Sequence, residues 1–202
     1  MSSPSPQAQA KARLRQQIRT QRKALTQEPR EREHLAWAYS RELMRHLTSY
    51  RSPGTLAAFL PLATEPPIRP ALEAAAQAGW QLLLPRISGP GKLAWVAWDP
   101  HQPLVPGPLG LAEPAGPDLG SAAFHQAQLQ LIPALALDRQ GRRLGQGGGY
   151  YDRLLAQPSS GEKLGVVFAQ EILPALPLDP WDAQLPAALT QEGICQLEKA
   201  VE

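Results

Sequence analysis

The chain has 202 residues, a formal net charge of +2 and one cysteine. This length suits a single domain with its own hydrophobic core, so we expect residues 1–202 to form one domain, with a loose tail at 1–6. One cysteine cannot form an intrachain disulfide, which is typical of a reducing cytoplasm, and we expect a cytoplasmic protein. Without a long apolar run or an apolar leader, the sequence predicts neither a membrane span nor a secretory signal.

Two helices are predicted before the first strand. The first runs from about residue 7 to 25, and the second from 28 to 47 has apolar residues at steps of four. A solvated basic face is the simplest interpretation of the cations on the first helix, and RNA binding is an alternative that no interleaved aromatic residues support. Lys11 and Arg15, four residues apart, share one face. The cations of this helix are Lys11, Arg13, Arg15, Arg19, Arg22 and Lys23.

Short apolar runs bounded by turn residues predict buried strands. Their alternation with helical patterns, including one at 68–78, predicts an α/β sandwich with helices on both faces of a mostly parallel sheet. The run at 93–98 is expected to be an antiparallel edge strand, with Trp95 and Trp98 on opposite faces. The segment 100–121 is predicted to be a long ordered loop, and 190–193 to be the end of the last strand and a turn. The strands are predicted at 55–60, 80–86, 93–98, 128–133, 165–168 and 185–190.

A glycine-rich segment follows the central predicted strand and precedes a helical pattern that begins at Leu154. Glycines let backbone N–H groups approach a phosphate, and a helix N-terminus favours negative charge. Arginines and a carboxylate beside such amides suit a phosphate with a magnesium ion. The segment matches neither the P-loop nor the dinucleotide fingerprint, and a flexible surface loop is the alternative. It comprises Arg142, Arg143, Leu144, Gly145, Gln146, Gly147, Gly148, Gly149, Tyr150, Tyr151, Asp152 and Arg153.

Glu65 follows the first predicted strand. Open α/β sheets place ligands in the loops at the carboxyl ends of their strands, so Glu65 is a candidate binding residue. It also precedes the helix predicted at 68–78, and stabilisation of that helix dipole is an equally good interpretation.

The glycine-rich segment, together with Ile132-Pro133 and residues 135–138 before it, resembles the signature of the 5-formyltetrahydrofolate cyclo-ligase family, also called methenyltetrahydrofolate synthetases. The likeness extends from Lys11 to about Glu192. It implies the fold shared by ribose-phosphate isomerase and CoA transferases. The implied reaction is the ATP-dependent closure of 5-formyltetrahydrofolate to 5,10-methenyltetrahydrofolate, with release of ADP and phosphate. ATP, Mg²⁺ and the folate are the implied ligands of a monomer, and neither nucleic acid nor a membrane is an expected partner.

The resemblance also implies roles for individual residues. Catalytic roles fall on Arg143, Tyr151 and Asp152, and magnesium ligands on Asp152 and Asp182, with a turn-forming aspartate as the alternative for Asp182. Folate contacts fall on Leu60, Glu65, Gly148 and Tyr150, with Tyr151 also helping to place the folate. ATP contacts fall on Lys11, Arg15, Arg143, Leu144, Gly145, Gln146, Gly147, Gly148, Gly149, Tyr150 and Tyr151.

Departures from the family pattern and alternative functions accompany this interpretation. Trp181 replaces the usual histidine, Pro186 stands at a usual aspartate, and Gly148 stands where some relatives have lysine. Residues 110–114 resemble a family segment that lies across the site. One of the two strand tryptophans could stack on the pteridine, although sheet packing is the simpler role for both. A sugar-phosphate isomerase on the same fold, recognised by nucleotide-independent turnover, and a non-catalytic RNA-binding protein stay open.

Overall fold

The computed structural model describes residues 5–108, 111–177 and 184–198. Its helices are α1 (Pro6–Thr26), α2 (Pro29–Leu47), α3 (Arg69–Gln77), α4 (Gly120–Gln126) and α5 (Tyr150–Leu155). Its strands are β1 (Thr55–Ala57), β2 (Gln81–Gly89), β3 (Lys92–Trp98), β4 (Leu104–Pro106), β5 (Ala112–Pro114), β6 (Leu129–Pro133), β7 (Ala136–Asp138), β8 (Arg143–Leu144), β9 (Glu162–Val166), β10 (Ile172–Leu173), β11 (Ala187–Thr190) and β12 (Gly193–Gln196).

Seven strands form the main sheet, in the order β12-β11-β9-β6-β1-β2-β3. The five inner strands are parallel, and β3 and β12 pair antiparallel at the two edges. The predicted α/β class, the mostly parallel sheet, the central position of β6 and the antiparallel edge strand at 93–98 are therefore confirmed. The likeness to the ribose-phosphate isomerase fold stays a prediction.

Helices cover both faces of this sheet, because successive strand residues point to opposite sides. Leu56 and Trp98 pack in the core beneath α2 and α3. Ala57 and Trp95 pack in the core on the other face, where Phe124 of α4 and Leu154 of α5 also lie. The expected placement of the two tryptophans on opposite faces is thus correct.

The second helix shows why the periodic prediction succeeded. Leu35, Tyr39, Leu43 and Leu47 lie at steps of four and are all buried. Burying each leucine side chain contributes about 1.5–3 kcal/mol. The Tyr39 hydroxyl donates a hydrogen bond to the Val167 carbonyl at 2.7 Å, so this buried polar atom has a partner.

A second, three-stranded sheet, in the order β10-β7-β8, lies beneath α1. Ile18 of α1 packs there against Leu135, Ala136 and Leu144. The first helix therefore belongs to the body of the domain. No helix in the described part of the chain is long and apolar enough to cross a membrane.

The interpretation of α1 as a solvated basic face is wrong for two of its six cations, while Arg13, Arg19 and Lys23 are exposed as expected. Lys11 and Arg22 are buried, with 8% and 1% of their surface exposed. Arg22 forms a buried ion pair with Glu171, in which two nitrogens reach the two carboxylate oxygens at 2.7 Å each. Arg22 also donates to the Ala134 carbonyl at 2.7 Å. These two buried cations are not available to a nucleic acid, which weakens the RNA-binding alternative.

The predicted ends of α1, α2 and α3 agree with the structure within about two residues, but several other boundaries differ. Part of the expected tail is ordered, because the Ser5 hydroxyl caps α1 by accepting from Ala8 N at 3.2 Å. The strand that ends at Thr190 was predicted to be the last one. The structure shows a further strand, β12, which follows the turn at 190–193 and pairs with β11. The predicted loop at 100–121 contains the β4–β5 hairpin.

Three predicted strands also have different limits, and one of them is β2, which ends at Gly89 and not at residue 86. The strand predicted at 165–168 begins at Glu162, because Glu162 and Lys163 pair with Leu129 and Gln130 of β6 although they are polar. The strand predicted at 55–60 ends at Ala57, since the chain then leaves the sheet and turns toward a cavity.

Candidate active site

A cavity of about 730 Å³ opens at the carboxyl ends of β1 and β6, where α/β sheets usually bind ligands. Its walls come from three separate parts of the chain. The first part is the loop after β1, with Phe59, Leu60, Pro61, Leu62, Ala63, Glu65 and Arg69. The second is β2 to β5, with Leu84, Pro85, Ile87, Leu93, Leu104, Leu111, Ala112 and Glu113. The third is the glycine-rich segment with the end of β6, namely Pro133, Arg143, Gly145, Gln146, Gly147, Gly148, Gly149, Tyr150, Tyr151 and Asp152.

The glycine-rich segment turns from β8 into α5. Gly147 and Gly149 have φ angles of +108° and +67°, which residues with a Cβ rarely adopt. Gly149 is the N-cap of α5, so the helix begins at Tyr150 and not at Leu154 as predicted. The prediction was late because the first turn contains two tyrosines and Asp152, which hide the apolar period. Asp152 does lie in the first helical turn, as expected.

Two arginines of α1 hold the outer side of this loop. Arg15 Nε donates to the Gly145 carbonyl at 2.9 Å. Arg19 Nη2 donates to the Gln146 carbonyl at 3.2 Å and to Gln146 Oε1 at 2.9 Å. The structure thus brings Arg15 to the predicted loop. Lys11 is buried one turn earlier in α1. Neither Lys11 nor Arg15 lines the cavity. Arg19 was not assigned to the site from the sequence. Its position four residues after Arg15, on the same face of α1, indicated that the two could contact the same loop.

Arg143 and Asp152 meet across the loop. Arg143 is 4% exposed, and its Nη2 donates to Asp152 Oδ1. Its Nη1 donates to the Pro133 carbonyl at 3.0 Å, while Nε has no partner within the described ranges. A Cβ at Gly145 would lie 2.8 Å from Arg143 Nη1, so a side chain at this position would force the Arg143 guanidinium to move. Two predicted catalytic residues are therefore side by side at the cavity wall.

Glu65 faces the same loop from the opposite wall. The side chain is 6% exposed. Its Oε2 accepts from Leu62 N at 3.0 Å, and its Oε1 accepts from Gln146 Nε2 at 3.0 Å. Helix α3 begins only at Arg69 and its N-cap, Ile68, has no side-chain cap. The geometry favours the binding interpretation of Glu65 over that of helix-dipole stabilisation.

The two tyrosines of α5 border the cavity in different ways. The Tyr151 hydroxyl is buried without a hydrogen-bond partner in the described part of the chain. Burial raises the pKa of the Tyr151 phenol and the charge of Glu65 raises it further, while Arg143 lowers it. Tyr151 is therefore a neutral donor near pH 7. The ring of Tyr150 lies 2.9 Å from where a Cβ of residue 148 would be, so a side chain at Gly148 would force the Tyr150 ring to move.

The other predicted site residues have mixed outcomes. Leu60 lines the cavity. The Leu144 side chain does not, because it is buried in the core beneath α1. Asp182 lies outside the described residues, as does Trp181. Trp95 and Trp98 are buried in the two sheet cores and line no part of the cavity, so the stacking alternative is not supported.

Metal coordination by the protein alone is not evident in the described ranges, which contain no cluster of three or more His, Cys, Asp or Glu side chains suited to an ion. Mg²⁺ is usually held by one or two carboxylates together with substrate phosphates and water. Asp152 is 35% exposed and lines the cavity beside the glycine amides, so its carboxylate fits that mode of binding. Glu113 and Arg69 also line the cavity, and neither had been assigned a role from the sequence.

The fold and the cavity define an α/β protein with a ligand site at the carboxyl edge of its sheet. Residues 7–191 match the profile of the 5-formyltetrahydrofolate cyclo-ligase family. The 5-formyltetrahydrofolate cyclo-ligase of Mycolicibacterium smegmatis is 35% identical over 149 residues, 71% of this chain and 77% of the relative. That of Escherichia coli is 29% identical over 181 residues, 88% of this chain and 98% of the relative.

Solved structures agree with this match. The 5,10-methenyltetrahydrofolate synthetase of Aquifex aeolicus superposes with a TM-score of 0.74 at 27% identity, and the alignment covers 95% of each chain. The synthetase of Mycoplasma pneumoniae, at 24% identity, shares the fold with a TM-score of 0.70 over 90% of this chain and 99% of that one. The chain therefore belongs to the 5-formyltetrahydrofolate cyclo-ligase family and is an enzyme of that type.

Proposed function

We propose that this enzyme converts 5-formyltetrahydrofolate to 5,10-methenyltetrahydrofolate in a reaction that needs ATP and Mg²⁺ and releases ADP and phosphate. The observation that carries the proposal is the meeting of the glycine-rich loop and Glu65 across one cavity, where Gln146 Nε2 lies 3.0 Å from Glu65 Oε1. The loop proposed to hold phosphates and the carboxylate proposed to hold the pteridine therefore face one cavity that could take both substrates.

The nucleotide is assigned to the glycine-rich side. Backbone amides of 145–149 and the Arg143 guanidinium would hold the phosphates, because arginine and glycine amides are strong donors to phosphate oxygens. Arg15 supports the loop through the Gly145 carbonyl at 2.9 Å and adds positive charge behind it. Lys11, one turn before Arg15, belongs to the same proposed nucleotide site.

The folate is assigned to the apolar side of the cavity. Leu60 and its neighbours after β1 line the cavity and would provide a wall for the pteridine ring. Glu65 would accept hydrogen bonds from the ring N–H groups, which gain strength where water is excluded. Tyr151 can donate a hydrogen bond through its unpaired, neutral hydroxyl. Tyr150 would position the ligand from the loop side.

The chemistry follows from the weak reactivity of the formyl amide. Its carbonyl oxygen is a poor leaving group, so transfer of the γ-phosphoryl group of ATP to that oxygen creates a good one and releases ADP. The folate N10 then attacks the formyl carbon, the new C–N bond closes the ring, and phosphate departs with loss of the N10 proton. Catalysis of such a sequence depends mainly on positioning and on charge neutralisation.

Magnesium would be held by Asp152, with Asp182 as the second proposed ligand. A divalent ion bound there neutralises negative charge on the phosphates. Arg143, which pairs with Asp152 through Oδ1, keeps this carboxylate turned toward the loop.

The proposal is tested by following the absorbance band of methenyl-folate with purified protein and 5-formyltetrahydrofolate. We expect the band to grow only when Mg²⁺ and ATP are both present. Growth at the same rate without nucleotide would refute ATP dependence. Sugar-phosphate isomerisation without nucleotide would instead support the isomerase alternative.

Replacing Glu65 with glutamine is expected to damage folate binding or turnover and to leave ATP affinity nearly unchanged. The carboxylate is 6% exposed and faces the cavity, so its loss removes an acceptor for the pteridine. Steady-state kinetics with each substrate varied in turn measures the effect. Normal folate kinetics, together with a free energy of unfolding lowered by about 0.3–1 kcal/mol, would show that Glu65 stabilises the dipole of α3 and does not bind the folate.

Replacing Arg143 with alanine is expected to weaken ATP binding by about 1.5–3 kcal/mol, the scale of a hydrogen bond to a charged group. Arg139→Ala is the matched control, because Arg139 is exposed in the turn before β8 and does not line the cavity. Calorimetric titration with a non-hydrolysable ATP analogue compares the two variants. Equal affinities would contradict the assignment of Arg143.

A further inference from the structure

A chain of hydrogen bonds joins three elements that are far apart in sequence. Arg19 of α1 donates through Nη2 to Gln146 Oε1 at 2.9 Å, across 127 positions of sequence. Gln146, in the glycine-rich loop, donates through Nε2 to Glu65 Oε1 at 3.0 Å, across 81 positions. The nucleotide-side loop therefore carries a side chain that reaches the carboxylate on the folate side.

The chemistry of these three groups permits one orientation of the Gln146 amide. A guanidinium has only hydrogen-bond donors and an ionised carboxylate has only acceptors. The amide of a glutamine side chain has an NH₂ group that donates and an oxygen that accepts. If the amide flipped, its NH₂ group would face Arg19 and its oxygen would face Glu65, and both bonds would be lost. Arg19 therefore turns the Gln146 NH₂ group toward Glu65.

The consequence for Glu65 is a fixed carboxylate. Leu62 N holds Oε2 at 3.0 Å and Gln146 holds Oε1 at 3.0 Å, so both ends of the group are bound to different segments. Each carboxylate oxygen can accept a second hydrogen bond. The bound carboxylate therefore keeps acceptor capacity for a ligand while its rotation is restricted.

We propose that Gln146 and Arg19 are positioning residues that orient Glu65 for the heterocyclic ring of the folate. This role rests on the proposed function. It extends that function because a residue of the loop assigned to ATP would also help to bind the folate. Folate binding then depends on the Gln146 side chain, whereas the phosphates depend on the loop's backbone amides. The Gln146–Glu65 bond is partly buried and the Arg19–Gln146 bond is exposed, so Gln146 has the larger effect.

The kinetic test separates the two substrates. Gln146→Ala is expected to raise KM for 5-formyltetrahydrofolate about tenfold, while KM for ATP changes by less than about twofold. Gln146→Glu should raise the folate KM further, because it places a second carboxylate against Glu65. Arg19→Ala should give a smaller rise in the KM for 5-formyltetrahydrofolate. Arg19→Lys keeps a hydrogen-bond donor, so its folate KM should be close to that of the wild type.

Lys23→Ala is the matched control, since it removes an exposed cation one turn further along α1. It should leave both KM values unchanged. A thermal melt of each variant detects a merely structural role, which would lower the melting temperature and leave the folate KM unaltered. An unchanged folate KM in Gln146→Ala, or equal rises in both KM values, would overturn the positioning role.

Calorimetric binding of 5-formyltetrahydrofolate to the nucleotide-free enzyme makes the test independent of turnover. Weaker binding by Gln146→Ala than by the wild type supports the positioning role. Equal binding by the two proteins overturns that role and leaves the proposed function standing. Absence of binding to the wild-type protein overturns both.

Discussion

The variant Asp152→Asn is expected to lower turnover by about a hundredfold, the scale seen when one charge-stabilising group is removed from an active site. Asp152 lies at the wall of the cavity beside the glycine amides and next to Arg143. If ATP binds as proposed, Asp152 lies close to the triphosphate, and a divalent cation between them would neutralise the negative charge that Arg143 alone cannot balance. Steady-state rates over a range of Mg²⁺ concentrations measure the effect, and the variant should need more Mg²⁺ for half of its maximal rate.

Asp99→Asn serves as the control for this prediction, because Asp99 is an exposed carboxylate after β3 that lies away from the cavity. Its turnover and Mg²⁺ requirement should match those of the wild type. Full turnover of the wild-type enzyme in excess chelator would contradict the magnesium assignment. So would an Asp152→Asn variant with an unaltered dependence on Mg²⁺.

Replacing Arg22 with alanine is expected to lower the free energy of unfolding by about 3–5 kcal/mol, because it leaves a buried carboxylate without its partner. Arg22 and Glu171 are 1% and 4% exposed, and two bonds of 2.7 Å join them. In a domain of this size each kcal/mol shifts the melting temperature by about 2–4 °C, so a fall of about 10 °C is expected. Thermal and urea unfolding measure it.

The dependence of this loss on pH gives a sharper test. Burial raises the pKa of the Glu171 carboxyl, and its contacts with Arg22 oppose that rise. Without Arg22 the native state keeps a proton on Glu171 at pH values where the unfolded chain has lost it. Stability then falls as pH rises above the range in which an exposed glutamate titrates, so the deficit of the variant should be larger at neutral pH than in mild acid.

Two further variants complete this experiment. The double variant Arg22→Met with Glu171→Gln removes the unpaired charge and should regain part of the lost stability. Arg69→Ala breaks an exposed pair with Glu73 and should cost less than about 0.5 kcal/mol. A loss of that small size in Arg22→Ala would show that the buried pair does not stabilise the fold.

Features that repeat within a few residues were predictable from the sequence. The steps of four in α2 predicted a helix and its buried face, because both depend on the 3.6-residue period. The apolar runs predicted the central strands, and the glycines at 147 and 149 do adopt the backbone angles that favour glycine. The errors fell where polar residues pair in a strand, as at Glu162, or open a helix, as at Tyr150.

The sequence by itself determined the fold class, the glycine-rich loop and the resemblance to the family, since each lies in a local pattern of residues. Only the tertiary structure decided which side chains meet. Arg22 belongs to a buried ion pair and not to a solvated face, and Gln146 reaches Glu65 across 81 positions of sequence. Such contacts arise because the parallel strands bring their carboxyl ends to one edge and α1 packs beside them. Local periodicity carries no information about either arrangement.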